Sequence, residues 1–377
     1  MRDGSEQQAP GGLESDASGA RPSWETRERE CFSLAAQGRG GVTIFCRRVS
    51  PRPSIVFDTF WRFAAERQEV FYKKLFGAWP PWTHDAILQT YKFTNAYRSS
   101  DRTSQYLIRN VIYEGEQTPR EIFFRTVLFK LFNKIETWEL LKSRIGWPLA
   151  AEYKVERYGE ALADALRQGT RIYSAAYIMP SALGFGGHRK HINHLRLLET
   201  MLRDEVPERV ADTREMKSVF SLLRSYHSVG NFLAYQMAID LNYSALTNFS
   251  EMDFVMPGPG ARDGIRKCFV SLGDCSEADV IRLVAETQAD QFAKRDLTFR
   301  SLWGRPLQLV DCQSLFCEVD KYARLAHPEV RGRTERKRIK QRYRPGKGRK
   351  LVWYPPKWGL NAAIEASSSG SHGAHSD

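Results

Sequence analysis

The chain has 377 residues and a formal net charge of +12, because 56 Lys and Arg outnumber 44 Asp and Glu. This excess favours a polyanionic partner, with DNA or RNA as the first expectation. No apolar run approaches the roughly 18 residues that cross a bilayer, and the N-terminus carries no signal or transit pattern. Six cysteines without a CxxC pair argue against a disulfide framework. We expect no membrane association and a reducing intracellular location: the nucleus in a eukaryote, the cytoplasm or nucleoid in a bacterium or virus.

The order of segments along the chain predicts a mainly α fold in which any sheet is small. Residues 1–50 are rich in Gly, Ser, Glu and Arg and are predicted to form a disordered leader. Residues 51–330 are predicted to form one helical domain, which can consist of two packed helical lobes. Residues 331–377 begin with a run of Lys and Arg and are predicted to form a basic, largely disordered tail for nonspecific phosphate binding or nuclear import. The predicted helices span residues 54–75, 85–89, 101–113, 119–132, 135–143, 155–168, 188–203, 213–226, 231–241, 277–295 and most of 307–324.

A polar loop opens the third predicted helix in the segment FTNAYRSSDRTSQYLIRNVI. Arg98 and Arg102 lie one helical turn apart and are predicted to clamp a phosphate. Asn95 and Gln105 carry the donors and acceptors that can read a base edge. Asp101 belongs either to this polar site or to a helix N-cap beside solvated arginines.

A glycine-rich turn leads into a helix with three histidines in the segment GFGGHRKHINHLRLLE. His188, His191 and His194 do not share one face, since the third lies about 240° round the helix from the first. We therefore predict no metal site here or elsewhere in the chain. The basic turn of His188, Arg189 and Lys190 is either a solvated helix start or a phosphate-binding turn.

The most informative stretch is a helical hairpin, VFSLLRSYHSVGNFLAYQMAID, with the turn His-Ser-Val-Gly between two apolar helices. Such a turn directs backbone N–H groups outward at the positive end of a helix dipole. Ser228, Gly230 and Asn231 are therefore predicted to hold a nucleic-acid phosphate without the help of a charged side chain.

This hairpin, followed by Asp253 at an offset of 23 residues from Gly230 (253 − 230), resembles the centre of the helix-hairpin-helix DNA glycosylases. The resemblance implies that Asp253 is catalytic and faces the sugar of a flipped nucleotide; the alternative is a helix cap. Ser228 stands where the family usually has the first glycine of the turn. Phe232 stands where bifunctional members carry a nucleophilic lysine, so the resemblance implies chemistry without a Schiff base.

A second glycine-rich turn, PGPG, precedes the basic helix ARDGIRKCF. Two Gly-Pro alternations fix a rigid turn, and the helix begins directly after it. Gly258 and Gly260, together with Arg266 and Lys267, are predicted to bind a phosphate or a pyrophosphate. The alternative is a strong helix stop and start without a ligand.

Polar residues in the apolar segment LQLVDCQSLFCEVDKYAR form a further candidate site. Buried polar groups must be paired, and functional sites are where proteins tolerate them. Glu318 and Lys321, with Glu251 ahead of Asp253, are predicted to support the site. Glu318 and Lys321 are also spaced as a simple helix surface pair.

Several motifs taken together resemble the helical domain of 5-hydroxymethyluracil DNA kinases, grouped with the α-glutamyl/putrescinyl thymine pyrophosphorylases. They run in order over roughly residues 55–341: FTNAYRSSDRTSQYLIRNVIY, RTVLFKLFNKIETWELL, GHRKHINHLRLLETM, SVGNFLAYQMAIDLNYS, EMDFVMPGPGARDGIRKCF and LVDCQSLFCEVDKYAR. The resemblance implies a relation to the helix-hairpin-helix DNA glycosylases and the processing of hypermodified pyrimidines in DNA.

These observations lead to three functional hypotheses. The first is glycosidic cleavage of a hydroxymethyl-type or hypermodified pyrimidine in DNA. The second is a transferase that substitutes an activated, pyrophosphorylated hydroxymethyluracil, and the third is a non-catalytic DNA-binding scaffold. The expected partner is DNA, and no cofactor is expected. Because the sequence contains no GxxxxGK[ST] motif, phosphorylation would need a separate nucleotide or DNA kinase.

Overall fold

The computed structural model describes residues 49–175, 179–334, 336–344 and 351–369. The chain divides into two units, Met1–Cys46 and Arg47–Asp377, and the described residues all belong to the second. The leader predicted for residues 1–50 therefore lies almost wholly outside the described residues.

The described residues form fifteen α-helices, which confirms the mainly α prediction. In chain order the helices are α1 (Ile55–Leu75), α2 (Ala86–Thr90), α3 (Arg102–Leu107), α4 (Pro119–Phe132), α5 (Ile135–Ile145), α6 (Val155–Arg167), α7 (Lys190–Arg203), α8 (Val206–Ala211), α9 (Met216–Arg224), α10 (Asn231–Asn242), α11 (Pro259–Cys268), α12 (Glu277–Glu286), α13 (Gln288–Ala293), α14 (Leu309–Ala326) and α15 (Asn361–Ser369). Short 3-10 turns lie at Arg98–Ser100, Leu183–Phe185 and Pro356–Trp358, and α3 continues as a π-helical turn over Ile108–Ile112.

Helix starts follow the local capping chemistry of the sequence. The side chains of Ser54, Asp85 and Thr118 accept hydrogen bonds from amides in the first turns of α1, α2 and α4. At α12, Ser276 and Asp279 form a reciprocal capping box. A capping side chain satisfies amides that have no partner within the helix, so it fixes where the helix begins.

The sheet is small, as the sequence predicts, and two strand-like stretches of the sequence lie outside it. β1 (Arg52–Pro53) pairs antiparallel with β2 (Phe269–Ser271), with Arg52 opposite Ser271. The stretches FDTFW and DFVMP, which look strand-like, lie in α1 and in the loop before α11. The predicted helix over 277–295 is broken at Thr287 into α12 and α13.

Two helices lie at the centre of the core. All residues of α4 from Glu121 to Phe132 are buried, and so are all residues of α10 from Leu233 to Asn242. These two helices pack against each other, and α4 also contacts α7 and α8. Helices that are buried on every face need neighbours all round, which explains their central position.

A close helix crossing joins α11 and α14. A Cβ added to Gly264 would lie 1.9 Å from the backbone oxygen of Phe316, and one added to Gly260 would lie 2.3 Å from Cys317 Sγ. Glycines spaced four residues apart lie on the same face of a helix, so they let the backbones of α11 and α14 approach.

Part of the predicted tail belongs to the folded unit. Tyr354 is fully buried, and its hydroxyl lies 2.7 Å from the hydroxyl of Ser100. Lys357 Nζ donates to three backbone carbonyls, at 2.6, 2.9 and 2.6 Å, at and just after the C-terminal end of α10. A cation at a helix C-terminus is favourable because the helix dipole is negative there. The prediction of a largely disordered tail is therefore wrong for residues 351–369.

Candidate nucleic-acid interface and buried polar cluster

The predicted hairpin forms, with α9 and α10 joined by a short turn. Val229 anchors this turn, because its side chain is buried and its amide donates to Tyr226 O at 3.1 Å. Ser228 adopts a left-handed φ of 66°. This conformation is one that glycine adopts more readily than serine.

The N-terminus of α10 is open to the surface. Gly230 is its N-cap residue, no side chain caps it, and a Cβ at Gly230 would have no atom within 4 Å. The first helical hydrogen bond is donated by Ala234, so the amides of Asn231 and Leu233 have no partner within the helix. Asn231 is exposed and accepts a hydrogen bond from Arg224 Nε at 2.7 Å. A helix start without a side-chain cap, beside an exposed arginine, is suited to a phosphate.

Asp253 lies on the loop that follows this hairpin. The guanidinium of Arg282 holds the loop by donating to the backbone oxygens of Met252 (2.7 Å) and Asp253 (3.0 Å). The next residue, Phe254, packs its ring against Phe220 of α9 and Tyr235 of α10. Asp253 itself is exposed and is not the N-cap of any described helix. Its catalytic role stays a prediction.

The glycines of the PGPG turn lie against protein rather than open space. Gly258 is the N-cap residue of α11, and a Cβ there would lie 2.7 Å from the ring of Phe232. Gly260 faces α14 at the helix crossing described above. The prediction that Gly260 cradles a phosphate is corrected, because its missing side chain makes room for Cys317.

Arg266 and Lys267 are neighbours in sequence but occupy opposite environments. Lys267 is buried, and its Nζ lies 2.9 Å from Asp320 Oδ1 and donates to the Asp320 carbonyl at 3.1 Å. Arg266 is exposed on the other face of α11 and lies 3.9 Å from Glu277. The predicted phosphate contact of Lys267 is corrected, since its ammonium group is committed to α14.

The predicted arginine clamp does not form. Arg98 is buried, with its guanidinium bound to Gln236 Oε1 (3.1 Å), the Tyr243 hydroxyl (2.9 Å) and Asp240 Oδ1 (2.6 Å). Arg102 is exposed and lies 3.4 Å from Glu136. A buried guanidinium whose three nitrogens each have a protein acceptor is committed to the interior and is not offered to a phosphate at the surface. The assignment of Arg98 to a clamp is therefore wrong.

The polar residues near Arg98 form hydrogen bonds within the protein. The side-chain amide of Asn95 donates to Ser100 O at 2.7 Å, and the backbone N–H of Asn95 donates to Asp101 Oδ1 at 2.8 Å. Gln105 bridges two segments, donating to Ser99 O at 2.8 Å and accepting from the amide of Trp353 at 2.8 Å. The side chains predicted to read a base edge are instead bound within the protein.

Asp240 is the centre of a buried polar cluster. It lies 2.6 Å from Arg98 Nη2 and 2.8 Å from Lys130 Nζ. Burial by itself would raise the pKa of Asp240, but the two cations together lower the pKa below its ordinary value. The carboxylate is therefore charged in the folded protein, as a buried ion between two cations should be.

The pKa of Asp311, at the start of α14, is shifted in the opposite direction. Asp311 accepts hydrogen bonds from the amides of Arg98 (2.8 Å) and Gln308 (3.0 Å). Burial, together with the nearby carboxylate of Glu251, raises the pKa of Asp311 to about 7, although the two amides and Arg305 oppose the shift. Burial likewise raises the pKa of Asp101 to about 7. Two carboxyl groups thus titrate near neutrality in the interior.

Glu251 connects this cluster to the loop of Asp253. It is buried, and its Oε2 lies 2.7 Å from Arg305 Nη2. Its Oε1 has no hydrogen-bond partner, and neither does the buried hydroxyl of Tyr235. Buried polar atoms without partners are rare in folded proteins and often mark a site that another group completes.

Glu318 and Lys321 form an ion pair at the helical spacing predicted from the sequence, but the pair is largely buried and not on the surface. Glu318 is buried, accepts from the amide of Thr94 at 3.1 Å and lies 2.5 Å from Lys321 Nζ. Both groups are therefore satisfied on α14 and the loop beside it.

Sequence reasoning missed the residues that surround Arg98. Gln236, Asp240 and Tyr243 belong to or follow a helix that is otherwise apolar, and Lys130 belongs to another. The available signal was the polar pair at positions 236 and 240, which lie on one helix face in the interior. Among the described residues, no three His, Cys, Asp or Glu side chains group as metal ligands, and no helix has the length and apolarity to cross a membrane.

Comparison with known proteins bears on the identity of this fold. No solved structure matches the chain, so the relation to the helix-hairpin-helix glycosylases stays a prediction. A curated relative, the 5-hmdU DNA kinase of Bacillus phage SP10, is 25% identical over 295 residues, which cover 73% of this chain and 46% of that protein. The chain spans about half the length of this relative. The family model for the 5-hmdU DNA kinase helical domain matches residues 54–332, which include the hairpin, Asp253 and the buried cluster, and the chain therefore belongs to the family of 5-hmdU DNA kinase helical domains.

Proposed function

We propose that this chain binds DNA that carries a hydroxymethyluracil-type base and supports group transfer at the substituent of that base. The observation that carries the proposal is the family match over residues 54–332, within which the hairpin and Asp253 lie together. The name of the phage relative, a DNA kinase, supports chemistry on the base substituent over release of the base. Base excision, the leading hypothesis from the sequence, finds no such support.

In this proposal the open end of α10 holds the DNA backbone. Its uncapped amides and Arg224 contact a phosphate, which fixes the position of the DNA without reading its sequence. The target base has to leave the stack to reach a protein side chain. Asp253, held beside the hairpin by Arg282 and Phe254, is the exposed carboxylate that such a base would meet.

The reaction proposed is substitution at the exocyclic methylene carbon of an activated hydroxymethyluracil. An amine nucleophile donates its electron pair to this carbon, and the bond from carbon to the pyrophosphate oxygen breaks. The pyrophosphate leaves with the bonding pair, and the proton lost by the nucleophile passes to the carboxylate of Asp253. Arg262, which is partly buried, and Arg266, which is exposed, lie on α11 within 4 Å of Glu277 and are the cations offered to the leaving group. Phosphorylation is not assigned to this chain, and the separate kinase expected from the sequence has no support in the comparisons.

The test uses duplex DNA with thymine, hydroxymethyluracil or pyrophosphorylated hydroxymethyluracil at one position, incubated with a primary amine or free amino acid. After digestion, mass spectrometry of nucleosides should show a new mass only from the pyrophosphorylated DNA, with the strand intact. Asp253→Asn should lower the rate by about 100-fold or more, while the melting temperature and DNA affinity stay unchanged.

The exposed Asp290 of α13 provides the matched control, since Asp290→Asn should leave the rate unchanged. Release of a free base and an alkali-sensitive abasic site would overturn the proposal in favour of excision. Binding without a change of any nucleoside mass would instead indicate a DNA-binding scaffold.

A further inference from the structure

An open groove lies between the C-terminal end of α6 and the N-terminal end of α7, away from the residues used above. Its volume is about 420 Å³, a size typical of small-ligand sites. One wall is apolar and includes Leu166, and the ring of Tyr173 forms another part of the lining. Three cationic side chains, Arg167, Arg189 and Lys190, line the same groove.

The N-terminus of α7 is uncapped at this groove. Arg189 is the N-cap residue and makes no side-chain capping bond. The first helical hydrogen bond runs from the amide of Asn193 to Arg189 O at 3.2 Å, so the three preceding amides have no partner within this 14-residue helix. These amides lie at the positive end of the helix dipole.

A buried histidine provides an independent sign of a missing ligand. His191 lines the groove, is 2% exposed, and its Nε2 has no hydrogen-bond partner. Burial lowers the pKa of His191, and the charge of Arg189 lowers it further, while a hydrogen bond to the backbone of Gly159 opposes this shift. A buried polar nitrogen is costly without a partner. A phosphate in the groove would favour the protonated ring and would accept a hydrogen bond from the Nε2–H that protonation creates.

The cations of the groove are arranged so that an anion would gain from them. Lys190 Nζ lies 4.6 Å from the centre of the Tyr173 ring, and burial lowers the pKa of this lysine. Arg189 is exposed and has no ion pair with any residue that the structure describes. Arg167 is paired with Asp164, one turn earlier on α6. Among the described residues, an anion therefore meets two cations, Arg189 and Lys190, that have no carboxylate partner.

We propose that this groove is a phosphate-binding site, in which the first-turn amides of α7, Arg189, Lys190 and His191 hold the phosphate group of a ligand. The ligand is either a phosphodiester of bound DNA or a free phosphate or pyrophosphate, which share the same chemistry. The inference does not rest on the proposed base chemistry, because inorganic phosphate and pyrophosphate alone can probe it.

The experiment measures binding of inorganic phosphate and pyrophosphate by calorimetry, and of a short duplex DNA by fluorescence anisotropy. The full chain is compared with Arg189→Ala/Lys190→Ala. The control is Arg203→Ala, which removes an exposed cation at the other end of α7. We expect the double variant to weaken at least one of the two ligand classes about tenfold, with an unchanged melting temperature, and the control to weaken neither.

The measurement that changes in the double variant distinguishes a free phosphate ligand from a DNA phosphodiester. Loss of pyrophosphate binding indicates a free-ligand site. Loss of DNA affinity alone, with a salt slope smaller by about 1.8 for two phosphate contacts, indicates a backbone site. Unchanged affinity for all three probes would overturn the inference, whether or not the base chemistry is found. If the double variant is unstable, the single replacement of the exposed Arg189 by Ala decides the question, with an expected loss of about threefold.

Discussion

Two helices of this protein begin alike in sequence but differ in what surrounds their first turn. α10 follows Gly230 and α11 follows Gly258, and neither has a capping side chain. A Cβ at Gly230 would meet open space, whereas one at Gly258 would lie 2.7 Å from Phe232, and Gly264 further along α11 has no room at all. A glycine at a helix start can therefore serve a ligand or a neighbouring helix, and only its surroundings decide which.

The charged residues at these two helices also differ in whether they are exposed or buried. Arg224 at the open hairpin is exposed, while Lys267 on α11 is buried against Asp320. The hairpin end thus resembles a binding surface, because Gly230 faces open space and the guanidinium of Arg224 is exposed. The crossing of α11 with α14 is a close structural contact, in which Lys267 is already paired with Asp320. Changes at the crossing should cost stability, and changes at the hairpin should cost binding.

The largest loss of stability is expected from Lys267→Ala. The change leaves Asp320 buried with less compensation, which costs about 3–5 kcal/mol when a buried pair is broken. Arg324 on α14 also contacts Asp320, so the loss should fall at the lower end of this range. The neighbouring Arg266→Ala is the control and should change stability by less than about 0.5 kcal/mol. Urea unfolding measures both, and equal losses would remove the distinction between the two faces of α11.

The next largest effect is expected from Gly264→Ala. Because the added Cβ would overlap the Phe316 carbonyl, α11 and α14 must separate, at a cost of about 3 kcal/mol. Gly230→Ala places the same methyl group in open space and should cost no more than about 1 kcal/mol, the price of a poorer N-cap. Thermal unfolding of both variants tests this order. A Gly264→Ala protein as stable as the wild type would show that the crossing is not close-packed.

Asp311 at the start of α14 should make stability depend on pH. Its pKa is near 3.8 when unfolded and about 7 when folded, so between these values the unfolded chain is ionised while the folded chain holds the proton. Stability contributed by the protonated carboxyl is present at low pH and is lost as the pH rises towards 7. Between about pH 5 and about pH 7.5, Asp311→Asn should gain roughly 2 kcal/mol relative to the wild type. If the free energies of unfolding of the two proteins changed with pH in parallel, the raised pKa of Asp311 would be contradicted.

The smallest effect is expected at the hairpin and concerns binding alone. Arg224→Ala should remove one phosphate contact, lower DNA affinity a few-fold at moderate salt and reduce the log–log salt slope by about 0.9. The melting temperature should hardly change, since the arginine is exposed. Arg203→Ala, an exposed cation on α7, is the control. An identical slope for Arg224→Ala and the wild type would mean that the open end of α10 is not the DNA contact.

The sequence alone predicted most helices because their signals are local. Capping residues and apolar periodicity place the start of α4 at Pro119 and of α10 at Asn231, and the structure has both helices at these positions. The hairpin turn was predicted for the same reason, since Gly230 and the apolar residues around it lie within a few positions of one another. Motifs in a fixed order likewise sufficed for the family, which the comparisons confirm.

Only the tertiary structure decided what each polar residue contacts. Arg98 looked like a phosphate ligand because a short polar loop gives no sign that Asp240, 142 positions along the chain, supplies its partner. The same holds for Lys267 with Asp320, 53 positions away, and for Gly260 facing Cys317 on α14. Helix periodicity and capping depend on neighbours in sequence, whereas burial and ion pairing depend on groups that folding brings together, so the first can be deduced from the chain and the second cannot.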